Sequence, residues 1–404
     1  MKIGAFAKQN QVSIDTIRHY INLELLIPQK VNKQFDFDTR CQKDFSDIIY
    51  LKVLGFSLSE IKNIFTIKHL GKMTPFQQDD YYKNIFRDKY KITKAEIEKL
   101  SQENSNLEEA IRKLDIDNDT KQFKLGIDLS WLQYLCCENC GDSLVLKEAA
   151  VDDNMIVSGK LKCKCGIEYT VQDGILYADS DHDSENQFPD IISYIQHTDD
   201  EYLNQVYKTL EWNYQNINFK DLERKVILEL GSGSGFFLRQ IYNELPESAV
   251  YIAVDYDPER LCFLKEVLEK AERRKNIFFI CCDFTRMPLI TRAVDVICDY
   301  TGTSNFCFDH NEFLLNVIER YFKSDAILLG SYIIFKELSR SSNIPVDCRS
   351  NFQINSVKNQ IEKLGFIKQS EYISDIVTKG GIYENYFESN EKVLTYSFIG
   401  KRLG

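Results

Sequence analysis

The residues best equipped for chemistry fall in two regions. In the first, the run ELGSGSG at 229–235 follows a short apolar strand, Val226-Ile227-Leu228, and leads into a helix around Phe237 and Leu238. Glycines at 231, 233 and 235 have no Cβ, so the backbone there can come close to a ligand. A dinucleotide-binding turn would need a third glycine where Phe236 stands, so the pattern is a different one. Downstream, apolar runs end in Asp255-Tyr256, in Asp283-Phe284 and in Asp299-Tyr300, and His310 follows close enough to act as a base. In the second region, Cys137 and Cys140 are separated by two residues, and Cys163 and Cys165 by one, with 22 residues between the pairs. Four thiolates can close a tetrahedron around a structural zinc ion, and Gly141 and Gly166 follow the two pairs where a knuckle must turn. Cys136 is a further thiol beside the first pair.

These groups need a scaffold, and the chain is long enough for several. A length of 404 residues exceeds one ordinary core and predicts two to four domains. With 44% hydrophobic and 27% charged residues, the chain reads as globular rather than disordered. It shows neither a bilayer-length apolar run nor a charged-then-apolar leader, so a cytoplasmic location with no membrane partner is expected. Outside the two pairs, most of the twelve cysteines sit in apolar runs and read as small buried hydrophobes, not as a disulfide framework. The net charge is −11, but residues 1–72 carry eleven Lys/Arg against seven Asp/Glu, a balance of +4 that leaves −15 for the rest. Basic character is therefore concentrated at the N-terminus.

That N-terminal stretch carries two helical patterns. Ile3, Phe6 and Ala7 form one apolar face; Val12, Ile14, Ile17, Tyr20 and Ile21 form the other, across the polar turn at Gln9-Asn10-Gln11. Ser13 suits an N-cap, and the second helix would expose Asp15, Thr16, Arg18 and His19. Over about 72 residues the sequence resembles the MerR family of transcription regulators, on KIGAFAK…VSIDTIRHYINLELLIP and LGFSLSEIKNIF. The resemblance implies a winged helix-turn-helix that binds double-stranded promoter DNA, with Ser13, Thr16, Arg18, His19 and Tyr20 as candidate contacts and Phe35 and Asp36 in the wing. It also implies a homodimer. Ile97, Leu100, Asn104, Leu107, Ile111 and Leu114 recur at the 3-4 spacing of a two-helix seam, with one core Asn to fix register.

The cysteine region resembles the zinc-ribbon modules that precede some bacterial methyltransferase domains, which implies Zn held by Cys137, Cys140, Cys163 and Cys165. From about residue 190 onward the chain resembles class I S-adenosylmethionine (SAM)-dependent methyltransferases. That resemblance implies SAM as cofactor, with candidate contacts at Glu229, Gly231, Ser232, Gly233, Gly235, Asp255, Tyr256, Asp283, Phe284 and Asp299. Asp255 would meet the ribose hydroxyls and Asp283-Phe284 the adenine. Asp299, Tyr300 and His310 are the catalytic candidates. No Asn/Asp-Pro-Pro-Tyr follows the fourth strand and no Pro-Cys occurs, which argues against methylation of DNA bases at amino groups or at cytosine C5.

The expected architecture is multidomain. An all-α winged helix-turn-helix at 1–75 and a dimerisation helix at 76–118 precede a small β zinc ribbon at 130–180. A doubly wound α/β Rossmann-like methyltransferase domain at 190–404 completes it. The favoured reading is a regulator whose effector domain binds SAM and methylates a small molecule. A methyltransferase of a small molecule or RNA that is merely tethered or dimerised by its front module is the second reading, and an inactive SAM or S-adenosylhomocysteine (SAH) sensor the third.

Overall fold

The structure, a computed structural model, describes residues 1–31, 34–116, 123–178, 191–384, 386, 388 and 391–403. The expected ends of the long helix at 117–118 and of the cysteine module at 179–180 lie outside the described residues. The chain divides into two compact units, Met1–Asp119 and Thr120–Gly404.

The first unit begins with helices α1 (Ile3–Gln9) and α2 (Ile14–Asn22), then a hairpin of β1 (Gln29–Val31) and β2 (Gln34–Asp36). Helices α3 (Thr39–Val53), α4 (Leu58–Gly71) and α5 (Pro75–Ile116) follow. Polar side chains set where the helices start. Ser13 Oγ accepts from the Thr16 N–H, and Ser57 with Glu60 forms a reciprocal capping box. The apolar faces meet in one core that includes Phe6, Ile17, Tyr20, Phe45, Ile48, Ile61 and Phe65. Tyr20 is 2% exposed, with its ring centroid 6.1 Å from that of Phe45. The 3.6-residue period turns it inward with Ile17, so this candidate DNA contact is a core residue. Early in α5, Tyr81, Tyr82, Ile85 and Phe86 pack on the same core. Beyond Lys89, which pairs with Glu60 at 3.0 Å, the apolar residues Ile97, Leu100, Leu107, Ile111 and Leu114 are all exposed.

The second unit is built on a mixed sheet, twelve-stranded among the described residues. Its first strands are β3 (Ile127–Asp128), β4 (Val145–Asp152), β5 (Met155–Lys162), β6 (Glu168–Gln172) and β7 (Ile175–Tyr177). Helices α6 (Ile191–Gln196) and α7 (Asp200–Asn216) lead to β8 (Val226–Leu230), α8 (Phe236–Ile241), β9 (Val250–Asp255), α9 (Pro258–Leu268) and β10 (Ile277–Cys281). Then come β11 (Val294–Tyr300), α10 (Gly302–Phe306), α11 (Leu314–Val317), β12 (Phe322–Glu337), α12 (Ile354–Lys363), β13 (Phe366–Ile373) and β14 (Lys392–Arg402). The order is β13-β14-β12-β11-β8-β9-β10-β7-β6-β5-β3, with β4 on β5. Strands β8 to β12 run parallel, while β14 is antiparallel to both neighbours.

Strands covered on both faces need apolar residues throughout, as VILEL in β8 and IFFIC in β10 provide. Their alternate side chains divide between two cores: Val226, Leu228 and Leu230 join one, Ile227 the other. The strand order reverses at β8, which has β9 on one side and β11 on the other. Crevices in open α/β sheets form at such a reversal, outside the carboxyl ends of the strands. The cysteine-bearing hairpins are not a separate layer. Strand β7 pairs in parallel with β10, so the ribbon-like strands extend the same sheet. Among the described residues no helix is long and apolar enough to cross a membrane.

Candidate cofactor cleft and cysteine cluster

A cleft of ≈ 760 Å³ opens at the carboxyl ends of β8, β9, β10 and β11. Gly231 and Gly302 line it, and each is glycine for a steric reason. Gly231 has φ +69°, and a Cβ there would stand 3.3 Å from Gly302 Cα. A Cβ on Gly302 would lie 2.3 Å from the Leu230 carbonyl oxygen, which no backbone can yield to cheaply. The turn is held by Asp255, whose two carboxylate oxygens accept from the N–H groups of Gly233 (2.7 Å) and Asp257 (3.0 Å). Burial raises the Asp255 pKa, and the Arg260 guanidinium works against that rise. Arg260 also pairs with Asp257 at 3.2 Å.

Tyr256, Asp283 and Phe284 line the cleft beside Gly231 and Asp255. Asp283 caps the short 3-10 turn Phe284–Arg286, accepting from the Thr285 N–H at 2.7 Å. His310 lines it as well. Its ring stacks on Phe306 at 4.0 Å, and Nδ1–H donates to the Phe306 carbonyl at 3.0 Å. The remaining sequence candidates lie behind this wall. Glu229 is 2% exposed, and burial pushes its carboxyl up to about 8, against the pull of the Ser232 and Tyr251 hydroxyls. Ser232 is buried, its N–H and that of Gly231 both donating to the Val254 carbonyl. Gly233 and Gly235, at φ +52° and +81°, shape the loop without lining the cleft.

Asp299 and Tyr300 do not face the cleft. Asp299 is fully buried and accepts from the Thr303 N–H at 2.8 Å, with burial raising its pKa to about 6. Tyr300 donates to the Val206 carbonyl at 3.3 Å and stacks on Phe237. In β11, Asp299 organises the turn into α10 and Tyr300 points into the packing under α7 and α8. Sequence reasoning missed Arg260, Asn305, Asp309, Asn343, Tyr383 and Tyr386, which complete the lining with Phe306, Phe308 and Ile344. Arg260 and Asp309 had a signal, being one helical turn past Asp255-Tyr256 and adjacent to His310. Tyr383 and Tyr386 had none, since the segment between β13 and β14 follows no period.

The four cysteines of the two pairs converge, and their sulfurs all lie within 4.8 Å of one another. Cys137 Sγ is 3.5 Å from Cys165 Sγ, and Cys140 Sγ is 3.3 Å from Cys163 Sγ. A tetrahedral ion with metal–sulfur bonds of ~2.3 Å holds its sulfurs roughly 3.8 Å apart, so the set fits such an ion with little movement. Burial opposes ionisation of Cys137, but the N–H groups of Cys140 and Asn139 and the thiols of Cys165 and Cys163 together outweigh it and bring its pKa down to about 6. Cys136 is buried outside this set, and its N–H donates to the Pro288 carbonyl at 3.0 Å.

Residues 1–67 match the family model of the MerR HTH family regulatory protein, and residues 221–388 match that of a methyltransferase domain. The chain joins a MerR-type module to a methyltransferase domain. The cleft lies within this methyltransferase domain, from Gly231 to Tyr386. No curated protein matches the chain. Among solved structures it is similar to Haemonchus contortus phosphoethanolamine N-methyltransferase 2, at 16% identity and TM-score 0.36, over 50% of this chain and 53% of that one. It thus spans about half the length of that enzyme. A SAM-dependent methyltransferase from Aquifex aeolicus is similar at 19% identity and TM-score 0.34, over 54% of this chain and 100% of that one. The geranyl diphosphate C-methyltransferase of Streptomyces coelicolor is similar at 12% and 0.38, over 51% and 86%.

Proposed function

We propose that this chain is a cytoplasmic DNA-binding transcription regulator whose methyltransferase domain binds SAM and methylates a small molecule. The observation that carries the reading is the cleft at the sheet reversal, with a glycine floor and with Asp255 and Asp283 at two adjacent strand ends. Its size suits a nucleoside-sized ligand together with a small acceptor. Bound there, SAM supplies an electrophilic methyl group on a sulfonium. The Gly231 backbone and Asp255 hold the ligand's polar edge, and Phe284 offers a ring face to a base. Phe306, Phe308, Ile344, Tyr383 and Tyr386 give the remaining cleft wall a largely aromatic surface that excludes water and aligns a planar or apolar acceptor. His310 is the candidate base, because it is the only one of the three sequence candidates that lines the cleft.

For the N-terminal module, the winged helix-turn-helix reading rests on α1 and α2 followed by the β1–β2 hairpin, with Arg18 and His19 exposed on α2. Homodimerisation through α5 rests on its exposed apolar stripe. Zinc at the cysteine cluster, in a zinc-ribbon fold, rests on the convergence of four thiols.

Calorimetric titration of the full chain with SAM and with SAH tests the cofactor reading. Micromolar binding is expected, and Asp255→Ala should abolish it in a chain that still melts cooperatively. Unaltered affinity in that variant would remove Asp255 from the site, and absence of binding in the unaltered chain would end the SAM reading.

A further inference from the structure

Between Cys137 and Cys140 lies Glu138, and its carboxylate leaves the cluster to meet Arg286. Glu138 Oε1 accepts from the Arg286 guanidinium at 2.6 Å, and the side chain is only 10% exposed. The other oxygen, Oε2, is buried with no hydrogen-bond partner among the described residues. The Glu138 N–H donates to the Tyr169 hydroxyl at 2.9 Å, so main chain and side chain are both fixed. Arg286 ends the 3-10 turn whose first residue, Phe284, lines the cleft and whose cap is Asp283.

Further bonds join the same two segments. The Cys136 N–H donates to the Pro288 carbonyl at 3.0 Å, the Ile290 N–H donates to the Tyr134 carbonyl at 2.9 Å, and Leu135 bridges Leu289. On the upstream side, β7 closes the cysteine hairpins and pairs with β10, which runs directly into Asp283. The segment from Asp283 to Ile290 is therefore tied to the cysteine module at both of its ends.

We propose that the four-cysteine cluster controls the affinity of the cleft for its nucleoside ligand, with Glu138 as the positioning residue that transmits metal loading to Phe284. The inference rests on the reading that the cleft binds SAM. Four thiolates on a divalent soft ion such as Zn²⁺ lock the main chain on either side of Glu138. That fixes where its carboxylate meets Arg286. A knuckle without the ion is held by its hydrogen bonds alone and can shift further, and a buried carboxylate that loses its cation is costly, so the turn carrying Phe284 must follow such a shift. Linkage makes the effect reciprocal: whatever factor the metal contributes to ligand affinity, the ligand contributes to metal affinity.

The test uses the full chain loaded with Zn²⁺, with metal content measured for each sample and SAH as the probe. Glu138→Gln is expected to keep its zinc and its melting profile yet bind SAH about fivefold more weakly, or worse. In the unaltered chain, competition with a chromogenic chelator should show zinc held more tightly when SAH is present, by the factor that zinc adds to SAH binding. In Glu138→Gln that difference should shrink toward none. The proposal is overturned by equal SAH affinity in metal-loaded Glu138→Gln. It is also overturned by equal zinc affinity with and without SAH in the unaltered chain, a measurement that needs no variant to fold. A chain that binds no SAH in any state overturns the cofactor reading together with the coupling, whereas SAH binding indifferent to zinc overturns the coupling alone.

Discussion

Glu229, the penultimate residue of β8, has a buried carboxyl, and burial raises its pKa from an ordinary 4.5 to about 8. In the unfolded chain the same group ionises at its ordinary pKa, so the folded state holds the proton more tightly. The resulting contribution to stability is present below pH 4.5 and is lost as pH rises toward 8, a change of order a few kcal/mol. Thermal melts of the unaltered chain should fall across that window, and those of Glu229→Gln should stay flatter; parallel curves would show that Glu229 ionises normally. Residues of this kind differed in how far the sequence exposed them. Gly231, Asp255, Asp283 and Phe284 were legible because they follow the ends of apolar strands, where open α/β sheets present ligand contacts. Asp299 and Tyr300 end an equivalent strand, but Asp299 turns to the Thr303 N–H and Gly302 takes the place on the cleft wall, a local turn that strand pattern does not encode. Tyr383 and Tyr386 arrive from a distant irregular segment, and only tertiary packing brings them in.

Among the elements, α5 and the cysteine hairpins make the contrast. The 3-4 spacing of α5 was plain in sequence because helical period is local, and the structure leaves that stripe exposed from Ile97 to Leu114. Asn104 bonds to Glu108 within the helix at 2.9 Å, a contact that a partner helix would compete with. Replacing both Leu100 and Leu107 with Glu should convert a dimer to a monomer in sedimentation equilibrium, without changing the melting of the methyltransferase domain. An unchanged mass would exclude this seam. The four-cysteine convergence was equally legible, since thiol spacing carries it. The pairing of β7 with β10 was not: backbone hydrogen bonds leave no side-chain signature, and the two strands are far apart in sequence.

For the whole molecule, charge is the property that reaches furthest. A net −11 with +4 gathered in residues 1–72 leaves the basic surface confined to one module. Binding to promoter DNA should therefore weaken as salt rises, with a slope set by the few phosphates that module can neutralise. Arg18, 64% exposed beside Asp15, should contribute at one base position: Arg18→Ala is expected to cost roughly 1–3 kcal/mol there and leave the salt slope nearly unchanged. A slope lowered by about one would make Arg18 a phosphate contact, and no change in either would take it off the interface. The division into a helical module and an α/β unit was legible from motif order, because each module carries its own apolar pattern. The extension of one sheet across the cysteine hairpins was not. That extension also sets a schedule for protein synthesis. Strand β7 leaves the ribosome about 100 residues ahead of β10, an interval of about 5 to 20 s at usual elongation rates. Throughout it the nascent chain displays an open strand edge, a template for mispairing with neighbours on the same message. The hairpins that carry this edge also carry the four converging cysteines, so an ion taken up there before β10 emerges would hold the edge in its native shape.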